Sequence, residues 1–412
     1  MPDEPDEEVL MRNDPSRLQG MTWDHPRGID ALRACGEAFE RGTGVAIDWT
    51  VRSLREFEDT PVAELAAAYD LVALDHPFIG DAVEAGALLP LDSVFLPEEL
   101  AERAEDSAGA SHSSYHWNGR QWGGAVDAAC MVSACRADAV ARAEMPVRWE
   151  EVGEFARRHG RDAVLLAANP THLWGTVLSL CEAVRNTAVG PRDHWRRSGD
   201  GRPEWWGNAG IDPELLEEAI ERAVRLLALC APASLVSDPI TVHERLARPG
   251  DPALYCPLVF GYVTYARPGA RQALVAFGDA PRLGDAPVGT LTGGVGLAVS
   301  ARAAGSAAGR DAAAFVRFAT SARTQAGYAH EAGGQAGRRS VWLDERVDAE
   351  VTHFYRDTLA TMDRSFLRPR LPGYPDYQRA AAHTLHNGVT GGVRPRALAA
   401  ELTALWHKHV RV

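Results

Sequence analysis

No run in these 412 residues reaches 18 consecutive apolar positions, so no membrane-spanning helix is expected. The opening residues, MPDEPDEEVLMRNDPSRLQG, lack the basic start and apolar stretch of a secretory signal. The reading is a cytoplasmic protein behind a loose, disordered acidic tail over 1–19. Positive charge is short, with 43 basic against 56 acidic residues and a net charge of −13. Nucleic acid and anionic membrane surfaces are therefore poor partners. Cysteine is scarce. The six, at Cys35, Cys130, Cys135, Cys181, Cys230 and Cys256, form no C-x-x-C and no zinc-like spacing with histidine. Buried free thiols in a reducing compartment are expected, and neither a metal nor a cofactor. There is no G-x-S-x-G and no P-loop. The glycine-rich Gly289–Gly296 lacks the dinucleotide order and leads into a strand.

What is present is an ordinary globular composition, 46% hydrophobic and 24% charged, in a length that suits two lobes. The chain is organised around a repeated motif. Met21–Asp30 reads MTWDHPRGID and Leu71–Gly80 reads LVALDHPFIG. Each is an apolar strand ending in Asp-His-Pro, because proline cannot donate to a strand ladder. Asp24-His25 and Asp75-His76 therefore lie at strand carboxyl ends, the ligand-binding edge of an open α/β sheet. The alternative is that each Asp caps the following turn or helix and each His packs beside it.

Gly28–Arg41 has helical periodicity, Val45–Val51 alternates as a strand, and Ser53 with Glu56 makes a capping box. The result is a β-α-β-α-β run and a parallel sheet. Tyr115–Gln121 is a hairpin turning at Asn118-Gly119. Trp122–Cys135 is a long apolar strand interrupted by Asp127, and Leu254–Tyr265 is a second one; both are long enough to cross between lobes. Ala163–Ala167 reads as a buried strand. Asn169–His172 opens a helix whose first N–H groups could receive an anion. Residues 187–210 read as a surface loop, and Trp205-Trp206 as an interface or a loop packed on itself. Asp311–Ala332 reads as one long helix. Arg368 and Arg370, in FLRPRLPGY, could hold a carboxylate ligand or pair with surface acids, the surface reading being preferred.

Several segments carry a resemblance. WDHPRGID at 23–30, FERGTGVAIDW at 39–49, YDLVALDHPFIG at 69–80 and GALLPLD at 86–92 are followed by GGAVDAACMVSACRAD at 123–138. GGVGLAVSA at 293–301 and SARTQAGYAHEAGGQAG at 321–337 complete the series. In this order the chain resembles the bacterial solute-binding proteins of the sugar-type (family 1) ABC transporter group, from about Met21 to the C-terminus. The resemblance implies a two-lobed α/β fold of the type II periplasmic-binding-protein kind, with hinge strands and a small-molecule ligand between the lobes. It places residues 20–126 and 267–318 in the first lobe and 127–266 and 319–412 in the second. The implied cleft is lined by both Asp-His-Pro segments, Asp127, Tyr262 and the Gly293-Gly294 turn. Trp23, Trp117, Trp122, Trp174 and Tyr262 are available to stack on a sugar, core packing being the alternative for each. Exported members of that group need a signal sequence, and none is expected here.

Three functions compete. One is a cytoplasmic binder of a small polar or anionic metabolite, serving a partner enzyme or a permease. Another is an exported transport receptor. The third is an enzyme on the same fold, with His25 or His76 as general base, Asp24, Asp75 or Asp127 as acid or orienting group, and Arg27 holding an anion. A metal shared by Asp24, His25, Asp75 and His76 is disfavoured, since adjacent strand residues point to opposite sides.

Overall fold

Strand β1 (Arg17–Trp23) alternates Leu18 and Gly20 inward before ending at Asp24, and it carries the first lobe. The computed structural model describes residues 17–54, 56, 60–189, 197–198, 201–286 and 289–411. The expected tail over 1–16 lies outside the described residues; residues 17–19, expected to be loose, belong to β1. β1 pairs in parallel with β2 (Ala46–Arg52) on one side and β3 (Leu71–Leu74) on the other. Helix α1 (Pro26–Thr43) makes the crossover between β1 and β2. The expected β-α-β-α-β run is thus observed, and the Ser53–Glu56 capping box with it.

The long strand around Asp127 is interrupted, because it serves two sheets. β4 (Gly124–Ala125) pairs in the first sheet, and β5 (Ala129–Arg136) is central to a second, antiparallel sheet. Asp127 sits at the crossing between them. Leu254–Tyr265 does not cross: β6 (Tyr255–Phe260) stays beside β5, and a 3₁₀ turn, Val263–Ala266, follows. Return to the first lobe runs instead through β8 (Thr292–Gly293) on β5 and β9 (Gly296–Ser300), which pairs antiparallel with β3. β7 (Val275–Gly278) also pairs with β5, so residues 267–292, expected in the first lobe, build the second.

The helix expected over Asp311–Ala332 breaks. Ala307–Ala319 ends, Ser321 starts a new turn by accepting from the Thr324 N–H, and a π turn spans Gln325–Ala329. This is the last crossing, from Ala329 in the first lobe's core to Ala336 in a separate cluster of the second lobe around Phe277, Trp342 and Tyr355. Two glutamines pin it. Gln325 donates to the Ala125 carbonyl and accepts from the Gly337 N–H, while Gln335 donates to the Ala128 carbonyl and accepts from the Val263 N–H.

Each lobe has its own core. Met21, Leu32, Phe39, Val72, Leu297 and Phe315 fill the first; Met131, Trp174, Val177, Tyr255, Tyr377 and Trp406 are among those filling the second. Full burial of a large apolar side chain stabilises by about 1.5–3 kcal/mol. Trp206, expected in a surface loop, is fully buried against Trp174 and Trp406, on a short hairpin of Trp206–Gly207 and Gly210–Ile211; residues 190–196 and 199–200 of that loop lie outside the described residues. Ala163–Ala167 is buried but is not a strand, making one bridge, Val164 to Tyr255. All six cysteines are buried and unpaired. No described helix is long and apolar enough to cross a membrane.

Candidate functional site

The carboxyl ends of β1 and β3, the Asp127 crossing and the β8–β9 turn meet where the lobes face each other. The cavity there has a volume of about 90 Å³, on the order of six to nine water-sized groups. Trp23, Arg27 and Asp75 line it from the first lobe, Trp174, Phe260 and Tyr262 from the second, with Asp127, Gly293 and Gly294 at the crossings. Gly294 has φ +113°, and a Cβ there would lie 2.5 Å from the Asp127 carbonyl oxygen. Only glycine lets that turn close on the crossing.

Arg27 follows the first Asp-His-Pro and is fully enclosed. Its Nε donates to Asp127 Oδ1 at 2.7 Å and its Nη2 to Asp127 Oδ2 at 2.5 Å, a bidentate pair. Nη1 reaches the Gly261 carbonyl at 3.3 Å, and the guanidinium lies 4.5 Å from the centre of the Tyr262 ring. Burial opposes its charge, but the Asp127 carboxylate holds the guanidinium above its ordinary pKa.

The second ion pair spans the cleft. Arg368 Nη2 donates to Asp75 Oδ2 at 2.5 Å and Nη1 to Gln378 Oε1 at 3.0 Å. Burial works to raise the Asp75 pKa, but Arg368 and then His76 hold it down at about 2. The preferred surface reading of Arg368 and Arg370 is therefore wrong. Both are buried, because Phe366, just before them, pairs with Thr290 and Thr292 of the second lobe and brings the segment against the first. Arg370 does not reach the cavity; its Nη1 donates to the Ser113 and Ser114 carbonyls, and its guanidinium sits over Trp117.

The remaining sequence candidates also separate. Asp24 is exposed and outside the cavity. His25 caps α1, its Nδ1 accepting the Arg27 N–H at 3.1 Å, and packs edge-on to Tyr262. Burial first, and Arg27 next, lower its pKa to about 3. His76 lies behind Asp75 and is lowered to about 4, again chiefly by burial. Neither imidazole lines the cavity, so the acid-base pairs drawn from the sequence do not assemble there. Trp117 and Trp122 are also away from it. No cluster of three metal-ligating side chains occurs among the described residues.

Sequence reasoning missed several lining residues. Thr171 and His172 come from the start of helix α2 (Pro170–Ala188), and Gln378 from helix α3 (Tyr374–Thr390). Leu54, Thr171, His172 and Gln378 also border a second, more polar chamber of about 350 Å³, so the two spaces are adjacent. The first N–H groups of α2 are partly used, since Asn169 Oδ1 accepts from the His172 N–H. Asn169-Pro170 was the visible signal for this helix start; nothing in the sequence tied it to Arg27.

No protein-family model matches this chain, and no curated protein matches it. Solved structures do. A solute-binding protein of an Agrobacterium radiobacter ABC transporter, in complex with ribitol, aligns with a TM-score of 0.75 at 18% identity, covering 96% of this chain and 99% of that one. The fold is that of the ABC transporter solute-binding proteins. Maltose-bound MalE3 of T. maritima aligns with a TM-score of 0.75 at 15% identity, covering 95% and 99%. The maltotriose-binding protein of Thermus thermophilus reaches 0.69 at 18%, also covering 95% and 99%. At these identities the likeness is one of fold, and the two-lobed solute-binding-protein architecture expected from the sequence is what is found.

Proposed function

We propose that this chain binds a small hydroxylated solute, a polyol or a sugar unit, in the cleft between its lobes, and does no chemistry on it. The observation that carries the reading is the cavity lining. Four aromatic side chains, Trp23, Trp174, Phe260 and Tyr262, give the cavity apolar wall for the C–H side of a sugar, and two ion pairs add polar groups in fixed orientation. Each cleft arginine is already matched to a cleft carboxylate, so a neutral solute suits the site better than an anion. The polar second chamber gives room for a further unit. Structures of the same fold hold ribitol, D-mannitol and maltose, which supports the same class. We further propose delivery of the solute to a membrane permease, as the fold's transporter members suggest.

Thermal shift and calorimetry with ribitol, D-mannitol, maltose and maltotriose test this. A binder held at 100 times its Kd gains about 2.7 kcal/mol of stability, and at least one of these solutes is expected to produce a clear rise in Tm. Stabilisation only by aldonates or sugar phosphates would replace the neutral reading with the anionic one. Consumption of solute beyond stoichiometry would replace binding with catalysis.

A further inference from the structure

His76 touches neither chamber, yet it holds two groups that line the first. Its Nδ1 lies 3.1 Å from Asp75 Oδ1, and its Nε2 lies 3.2 Å from the backbone nitrogen of Arg368. A backbone N–H only donates, so Nε2 presents its lone pair. The ring proton therefore sits on Nδ1 and is donated to Asp75. Asp75 and Arg368 close the loop through their own ion pair. Leu74 and Phe78, flanking this imidazole, belong to the first core; Phe366 and Leu371, flanking Arg368, belong to the second. One side chain thus ties the two lobes together behind the cavity.

A second proton has nowhere to go in this arrangement. An Nε2–H would meet the Arg368 N–H head-on. The charged groups facing the ring are Asp75 from its own turn and Arg368 and Arg370 from the opposing segment. The Tyr374 phenol, near Arg368 and Asp75, is raised in pKa by burial and stays neutral. A new cation beside two arginines gains only Asp75 in return. When the lobes part, the same imidazole meets water and takes the proton freely.

We propose that His76 is a positioning residue that locks the Asp75–Arg368 pair across the cleft, and that its protonation opens the lobes and releases the bound solute. Only the last clause rests on the binding reading; the opening is a property of the chain alone.

The test is single-molecule energy transfer between labels on Glu37→Cys and Ala228→Cys, both exposed and one on each lobe. The native cysteines are buried, so the engineered pair reacts selectively. In wild type without solute, the ratio of open to closed molecules rises with acidification from pH 6.5 towards 4. His76→Gln keeps an acceptor for the Arg368 N–H and cannot be protonated. Its ratio loses a factor of up to ten per pH unit of that rise. His76→Asn keeps the donor to Asp75 but leaves the Arg368 N–H alone, and is more open than wild type at pH 7.5. Far-UV circular dichroism at each pH separates opening from unfolding. Equal pH slopes in wild type and His76→Gln overturn the proposal, as does a His76→Asn protein as closed as wild type. Should the Asn variant not fold, the Gln comparison decides alone. Repeating the titration with ribitol and with maltose separates the two claims. A His76-dependent opening with neither probe bound refutes the solute class and leaves the latch; binding with no His76-dependent opening does the reverse.

Discussion

The two Asp-His-Pro segments share three residues, a place at the end of a strand, and adjacent positions in one sheet, yet they differ in which residue becomes the cap. In the first, an 18-residue helix begins at Pro26 and His25 is its N-cap, which turns Asp24 out to solvent. In the second, a three-residue 3₁₀ turn follows and runs into a six-residue helix, Ile79–Glu84, and Asp75 is the cap, its side chain accepting the His76 N–H. That one-residue offset directs Asp75 into the cavity and His76 to the lobe interface. The first segment delivers Arg27 to Asp127 at a crossing segment and lays His25 and Arg27 against Tyr262 of the second lobe; the second delivers Asp75 to Arg368 and His76 to the Arg368 N–H. A shared tripeptide therefore fixes where a chain turns, while the cap differs with what begins there, an α-helix after His25 and a 3₁₀ turn after Asp75.

The largest effect that would sharpen this contrast comes from the arginines. Arg27→Ala strands the buried Asp127 carboxylate and is expected to cost about 3–5 kcal/mol in urea denaturation at pH 7. Arg368→Ala is expected to act mainly on lobe closure, moving the open fraction and solute affinity more than the unfolding midpoint. If Arg368→Ala unfolds the chain as readily as Arg27→Ala, the division into a pair that holds the crossing segment and a pair that holds the lobes closed is wrong.

The glycines after each motif offer a smaller test. A Cβ on Gly80 would lie 1.8 Å from the Arg370 carbonyl oxygen, and one on Gly28 would lie 2.6 Å from the Trp23 indole. Overpacking costs typically about 1–3 kcal/mol. Gly80→Ala is expected to relieve it by parting the lobes, seen as an expanded scattering profile. Gly28→Ala is expected to tilt Trp23 and lower affinity with the profile unchanged.

Acid distinguishes the histidines. Burial lowers His25 to about 3 and His76, His172 and His243 to about 4, below the usual 6.5. A depressed folded pKa means the unfolded chain takes up the proton first. The stability from each neutral ring is thus complete above pH 6.5 and lost as pH falls from 6.5 towards 4 or 3. By linkage this is on the order of 2 kcal/mol per histidine at pH 5. His25→Asn keeps a good cap for α1 and is expected to remove about that much of the acid sensitivity, measured as the difference between urea midpoints at pH 7 and pH 5. Smallest of all, Asp24→Ala should shift stability by less than about 0.5 kcal/mol and leave affinity unchanged; a large loss of binding there would return Asp24 to the site.

Much of the frame was legible in the sequence. Strand ends at Asp-His-Pro, the Asn118-Gly119 hairpin, the Ser53–Glu56 box and the proline-started helices all rest on interactions within a few residues. Asp127 stood out because a lone carboxylate in an apolar strand needs a partner, and Arg27 is that partner. The crossings were harder. Leu254–Tyr265 and Trp122–Cys135 have the same apolar character, but β5 supplies pairing sites for β6, β7 and β8. Only the folded sheet shows that the return path is the glycine-rich turn. Arg368 and Arg370 looked like surface residues because the first-lobe groups that bury them, Asp75 and the Ser113 and Ser114 carbonyls, lie 256 or more positions away.

The sequence by itself determined the two-lobed α/β plan, the ends of most elements and the polar residues that had to find partners, because periodicity, proline, glycine and capping act over one or two turns of chain. Only the tertiary structure decided which residues share the cleft and which histidine latches it. Arg27 and Asp127 are 100 positions apart, and Asp75 and Arg368 are 293 apart. Contacts at such separations depend on how two independently packed cores dock, and local propensity carries no record of that geometry.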